Sequence, residues 1–257
     1  MTNQDILKIA MQQSAIDSNC KMNDFLQKDN VVVVSCANEK ARKYLDLPFA
    51  CDLVSYGNNI VASVNEEVLD AVRKYIDRYP VEHCFETPNL HVLNDELQKH
   101  GLRICFMAEH FLPNVDLLKP VSCKYEMKTL YPAELASLFR PEWSNALCEK
   151  RKSLNLLGVG AYDGEKLIGL AGSSADCDSM WQIGIDVLPQ YRGQSIACAL
   201  TSRLALEILD RGKVPFYCAA WSNIKSVKNA IKSGFRPSWV EITAKSCEFV
   251  SNMNGKS

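Results

Sequence analysis

The segment from Ile183 to Ile208 constrains this chain more than any other. An apolar run, Ile183 to Val187, stops at Pro189 and a polar turn that carries Arg192 and Gly193. An amphipathic helix follows at once, with Ile196, Leu200, Leu204 and Ile208 on one face. The turn sits where the first backbone N–H groups of a helix lack intrahelical partners. Free amides and the helix dipole both favour negative charge there, so the junction reads as a cradle for the pyrophosphate of a nucleotide cofactor. The alternative is an ordinary strand-to-helix connection with a solvated Arg192.

Around this junction the C-terminal half alternates. An extended piece at 125–129 precedes a helical segment expected from Pro132 to about Lys150. Leu157 to Tyr162 and Leu167 to Ser173 flank Asp163-Gly164, a strong hairpin signal. The strand 181–187, the junction and its helix come next; Gly212 suits the helix C-terminus. A strand at 214–220, a helix from about Asn223 to Ser233 and a strand from Phe235 toward Thr243 complete the pattern. The order predicts an α/β fold, a mixed sheet with helices on its faces.

The N-terminal half is less regular. It reads as a helix over 5–27, a strand at 31–35, a hairpin about Gly57-Asn58-Asn59 and a helix at 66–79. A short strand near Cys84, a helix at 89–100 and a strand at 102–108 follow. This echo of the second half suggests a degenerate copy, and the proline-flanked stretch 111–120 reads as the linker. The expected domains are therefore 1–118 and 119–257.

Composition excludes several classes. No apolar run is long enough to span a bilayer, and the first residues lack the basic and apolar regions of a signal peptide. A soluble, cytoplasmic protein is expected. The eleven cysteines are scattered with no CxxC or CxxH spacing, which argues for reduced core thiols and against a metal site. Residues 1–120 hold 12 basic and 17 acidic side chains, and residues 121–257 hold 17 and 13. The modestly basic second half suits a polyanionic small molecule but is too interspersed for nucleic acid.

With these motifs in order, residues 123–243 resemble the GNAT superfamily of acyl-CoA-dependent N-acetyltransferases. The two-part chain, with Gly184 to Pro189 before the turn, resembles the zwittermicin-resistance-type subgroup. Arg192-Gly193-Gln194-Ser195-Ile196-Ala197 matches the family's Arg-x-x-Gly-x-Gly/Ala turn, except that Ser195 stands where glycine is usual. The resemblance implies that amides from Gln194 through Ala197 hold the pyrophosphate of acetyl-CoA, with Arg192 adding charge. It further implies a splayed strand whose backbone at Ile185 to Val187 pairs with pantetheine and polarises the thioester carbonyl. Asn223-Ile224-Lys225-Ser226 resembles the family's second cofactor segment, although Asn223 also suits a plain helix cap.

The same resemblance implies transfer of an acetyl group to a small-molecule primary amine by direct attack in a ternary complex. The acceptor is expected between the domains, where the acidic N-terminal half would favour a cation; a monomer or homodimer is expected. The family's usual tyrosine, seven residues after the asparagine, is Ala230 here, so Tyr217, Tyr191 or water is left as proton donor, or the thiolate leaves unprotonated. Asp186 is the nearest carboxylate to act as base, with Glu241 a second; alternation places Asp186 opposite Ile185 and Val187, where the alternative is that it faces a helix or satisfies a loop. Trp181, Trp221 and Trp239 are read as core or pocket lining, and the four histidines as structural. The rival reading is a catalytically silent CoA-binding regulatory module, favoured by Ser195 and Ala230.

Overall fold

The structure, a computed structural model, describes residues 1–255. Its elements begin with α1 (Asn3–Ser18), β1 (Val31–Val34), β2 (Cys51–Ser55), β3 (Val61–Val64), α2 (Leu69–Ile76), α3 (Thr87–Gln98) and β4 (Leu102–Pro113). They continue with β5 (Glu126–Leu130), α4 (Pro132–Leu135), β6 (Asn155–Asp163), β7 (Lys166–Ser174), β8 (Met180–Val187) and α5 (Ile196–Asp210). Last come β9 (Val214–Ala219), α6 (Ile224–Lys232), β10 (Phe235–Ser246) and α7 (Cys247–Asn254). As expected, this is a mixed α/β fold.

Contacts divide the chain into two compact units. The first is Met1–Ala10 with His110–Pro237, and the second is Met11–Glu109 with Ser238–Ser257. β4 and β10 contribute residues to both, so the units are interleaved along the sequence instead of parting at one linker. Phe111 and Leu118, in the stretch read as a linker, are buried in the first unit's core.

In the first unit β5, β6, β7 and β8 form an antiparallel meander, and β9 lies parallel to β8. α5 covers β6, β7 and β8 with Ile196, Leu200, Leu204 and Ile208, the predicted face, all fully buried. Gly169 on β7 lies beneath this helix, where a Cβ would meet Leu200 and Ile196 at 3.0 and 3.1 Å.

The second unit has the strand order β1-β3-β2-β10-β4. Each unit contains an antiparallel hairpin whose second strand takes a parallel neighbour: β7-β8 with β9, and β2-β3 with β1. The chain path differs, since β9 follows its hairpin and β1 precedes its own.

Several local expectations change. The helix read over 132–150 is only α4 followed by 3-10 turns at 136–138, 141–143 and 149–154. Pro141 cannot supply the N–H that a continuous helix needs there. α1 stops at Ser18, where Asn19 turns to φ +58°. The segment near Cys84 is a 3-10 turn, and α7 was not foreseen.

Candidate functional site

The pairing of β8 with β9 ends at Gln182 and Phe216, while β8 runs on to Val187 and β9 to Ala219. β7 still pairs with β8 along this stretch, so only one edge of β8 opens. Leu188 N–H donates to Ile168 O on the β7 side. Strand alternation then turns the backbone groups of Ile183, Ile185 and Val187 toward the open edge. The Val187 carbonyl there accepts from Arg192 Nε at 2.9 Å. This is the splay that the sequence resemblance implied.

The chain then turns into α5 through two left-handed residues, Gly193 at φ +79° and Ser195 at φ +61°. Such alternating turns aim successive N–H groups into one concavity. Ser195 adopts the conformation that favours glycine, and its hydroxyl makes no capping hydrogen bond. The first intrahelical bond is Ala199 N–H to Ser195 O, which leaves the N-terminal amides of α5 aimed outward. Arg192, Gly193, Gln194 and Ser195 are exposed, and Tyr125 Oη donates to Gln194 Oε1 at 3.1 Å. A dianion fits this concavity chemically, with its rim fixed by the Arg192–Val187 bond.

The opposite face of β8 carries Gln182, Gly184 and Asp186. The loop at Asn145 and Ala146 lies directly on it: a Cβ on Gly184 would stand 1.9 Å from Asn145 O, and one on Gly172 2.1 Å from Ala146 O. Gly172 and Gly184 are register partners, so two adjacent strands give way to one loop. Asp186 locks the loop. Its carboxylate accepts from Asn145 N (2.8 Å), Asn145 Nδ2 (2.7 Å) and Ala146 N (2.9 Å).

Beside this contact opens a cleft of about 740 Å³, lined by 139–141 and 144–151 on the loop side and by Asn155, Ser174, Gln182, Ile183 and Gly184. Every lining residue belongs to the first unit, whereas the sequence reading set the acceptor between the halves. Sequence reasoning missed this cleft altogether. The signal was present in the two glycines inside β7 and β8, since a glycine in a strand marks close backbone approach.

On the other side of the splay, Tyr217 is the first β9 residue beyond the paired stretch. Its hydroxyl lies 2.8 Å from Ser226 Oγ on α6. Burial raises its pKa above the usual tyrosine value, and hydrogen bonds from Ser226 and Asn229 oppose that shift. Asn223 caps α6 by accepting from Ser226 N–H at 3.2 Å. Tyr217, Asn223 and Ser226 thus form one cluster, while Ala230 is fully buried in the core.

Other candidates lie elsewhere. Tyr191 donates to Asp163 Oδ2 at 2.9 Å, a bond that raises its pKa. Glu241 lies in the second unit, around a small cavity with Asp17, Arg42 and Asp52. Trp181 is buried in the first core, Trp239 stacks on Tyr56, and Trp221 is exposed. Among the described residues no group of three or more His, Cys, Asp or Glu could hold a metal, and no helix is long and apolar enough to cross a membrane.

The family model of GNAT acetyltransferases matches residues 53–239, most of the chain. The chain belongs to the GNAT acetyltransferase family. A GNAT-family protein of Novosphingobium aromaticivorans is 15% identical, with 56% of this chain and 66% of that chain covered at a TM-score of 0.45. The match thus spans just under two thirds of that protein. A GCN5-related N-acetyltransferase-like protein of Streptococcus suis is 21% identical over 64% and 74% of the two chains, at 0.45. A tandem GNAT protein from the clavulanic acid biosynthesis pathway is 16% identical over 59% and 57%, at 0.42. No curated protein matches.

Proposed function

We propose that the protein transfers an acetyl group from acetyl-CoA to a primary amine of a small molecule, within a ternary complex. The observation that carries this reading is the opening of β8 from β9 directly beside the turn at the head of α5. In it, Arg192 and the amides of Gln194, Ser195, Ile196 and Ala197 hold the pyrophosphate. The open backbone of Ile185 and Val187 pairs with the pantetheine arm, as an added strand would, and donates to the thioester carbonyl. Asn223 and Ser226 flank the arm from α6.

Acetyl-CoA supplies the activated acetyl group; the chain's residues align and polarise it. Tyr217, kept protonated by burial, is the proton donor toward the leaving thiolate through Ser226. This replaces the tyrosine that Ala230 displaces. Asp186 is assigned to loop positioning, because three donors already occupy its carboxylate. The cleft's one lining carboxylate, Glu149, is itself paired with Lys152, so solvent water in the open cleft accepts the amine proton. Gly184 to Pro189 and the two-part chain support the zwittermicin-resistance-type subgroup.

The test is CoA thiol release from acetyl-CoA with a panel of primary amines, alongside calorimetric CoA binding. Amine-dependent thiol release is expected. CoA binding with no thiol release for any amine would overturn the transferase reading and support the silent module, which Ala230 favours.

A further inference from the structure

The cleft beside β8 has a charge of its own, and it is the reverse of what the acidic N-terminal half suggested. Its charged lining residues are Arg140, Lys150, Arg151 and Glu149, three cations to one carboxylate. Two of these are neutralised within the protein. Arg151 Nε lies 2.8 Å from Oδ1 of the fully buried Asp176, and Glu149 pairs with Lys152 Nζ at 3.3 Å. Arg140 and Lys150 have no carboxylate within ion-pair reach among the described residues, and both are solvent-exposed at the cleft. The rest of the lining is largely apolar or neutral: Phe139, Pro141, Leu147 and Ile183, with Ser144, Asn155, Ser174 and Gln182.

A cationic acceptor would meet two uncompensated like charges on entry. An acceptor carrying an anion would find them as partners, and its amine could remain the end nearest Gly184 and the open edge of β8. We infer that the acceptor is an amine that also bears an anionic group, a carboxylate or phosphate, held by Arg140 and Lys150, with an uncharged body against Phe139 and Leu147. The inference rests on the proposed transferase reading for the role of the amine, but the anion preference is a property of the cleft alone. Charge-assisted bonds to a carboxylate or phosphate are the stronger class of hydrogen bond. Both cations are exposed, so water screens part of that strength and the expected preference is about tenfold.

The experiment compares matched pairs: leucine with 3-methylbutylamine, 4-aminobutyrate with butylamine, and 3-aminopropyl phosphate with 3-aminopropanol, with spermidine as the polycation. Binding is measured calorimetrically with CoA present, and turnover by thiol release. The anionic member of at least one pair should bind about tenfold tighter, and the carboxylate and phosphate arms tell the two anion sources apart. In Arg140→Ala/Lys150→Ala that preference should vanish through KM, with affinity for the neutral amine and for CoA unchanged. Equal binding within every pair, or tighter binding of spermidine, would overturn the inference. Anion-selective binding without thiol release would leave the cleft's anion preference standing and overturn the transferase reading instead.

Discussion

Asp186→Ala is the substitution that best separates positioning from catalysis. Its carboxylate holds the loop over Gly184 through three hydrogen bonds of 2.7 to 2.9 Å. Truncation leaves the backbone N–H groups of Asn145 and Ala146 without their acceptor. A lost acceptor costs about 1–3 kcal/mol per buried donor, and exposure at this site lets water recover part of it. The net loss should be about 2 kcal/mol, or roughly 4–8 °C in melting temperature for a chain of this size. Hydrogen exchange at Asn145 and Ala146 should accelerate, and CoA affinity should stay within about twofold, since the turn at 192–197 lies on the other side of β8. Asp186→Asn, which keeps one carbonyl acceptor, should lose about half as much. Slow exchange at both amides with an unchanged melting temperature would refute the locking role. A general base would instead show a fall of about 100-fold or more in kcat for Asp186→Asn with stability intact.

Further outcomes follow from the same geometry. Arg192→Ala should weaken CoA binding about tenfold by calorimetry, and unchanged affinity would mean the cradle is misplaced. Ser195→Gly relieves a left-handed non-glycine residue, so the melting temperature should hold or rise slightly and CoA binding should not weaken; a tenfold loss would show that the hydroxyl itself contacts the ligand. Gly184→Ala forces a Cβ into Asn145 O and should cost about 1–3 kcal/mol, checked by thermal melting, where a wild-type curve would contradict the close approach. The raised pKa of Tyr217 means the folded state holds this proton more tightly than the unfolded state, so its share of stability is present below pH 10.0 and lost as pH rises beyond it. Tyr217→Phe should flatten that alkaline loss and slow turnover; an unaltered alkaline melting profile would contradict the shift.

The parts of the fold that were legible in the sequence are those whose signals are local. α5, its buried face and the polar turn before it all follow from spacing within about twenty residues. So does the hairpin turning at Asp163-Gly164, where Gly164 has φ +62°. The loop from Ala136 to Leu154 was not legible, because its scattered apolar residues mimic a helix. Its actual path depends on Gly172 and Gly184, far along the chain on two other strands. The division into units was hidden for a related reason: β4 and β10 pass through both, and a strand's neighbours leave no mark in its own sequence. At the candidate site, the turn before α5 and the Asn223 cap have local signals, whereas the Tyr217–Ser226 hydrogen bond joins two different elements and leaves none. Asp186 shows the limit most clearly, since its alternation on β8 was read correctly but the loop that occupies it comes from 41 residues earlier.

The most direct measurement is a crystal structure with CoA bound. The pyrophosphate should lie within hydrogen-bonding distance of amides between Gln194 and Ala197, with Arg192 beside it. The pantetheine arm should run along the open edge of β8 at Ile185 and Val187. Pyrophosphate bound away from this turn, or an arm that leaves the splay empty, would contradict it.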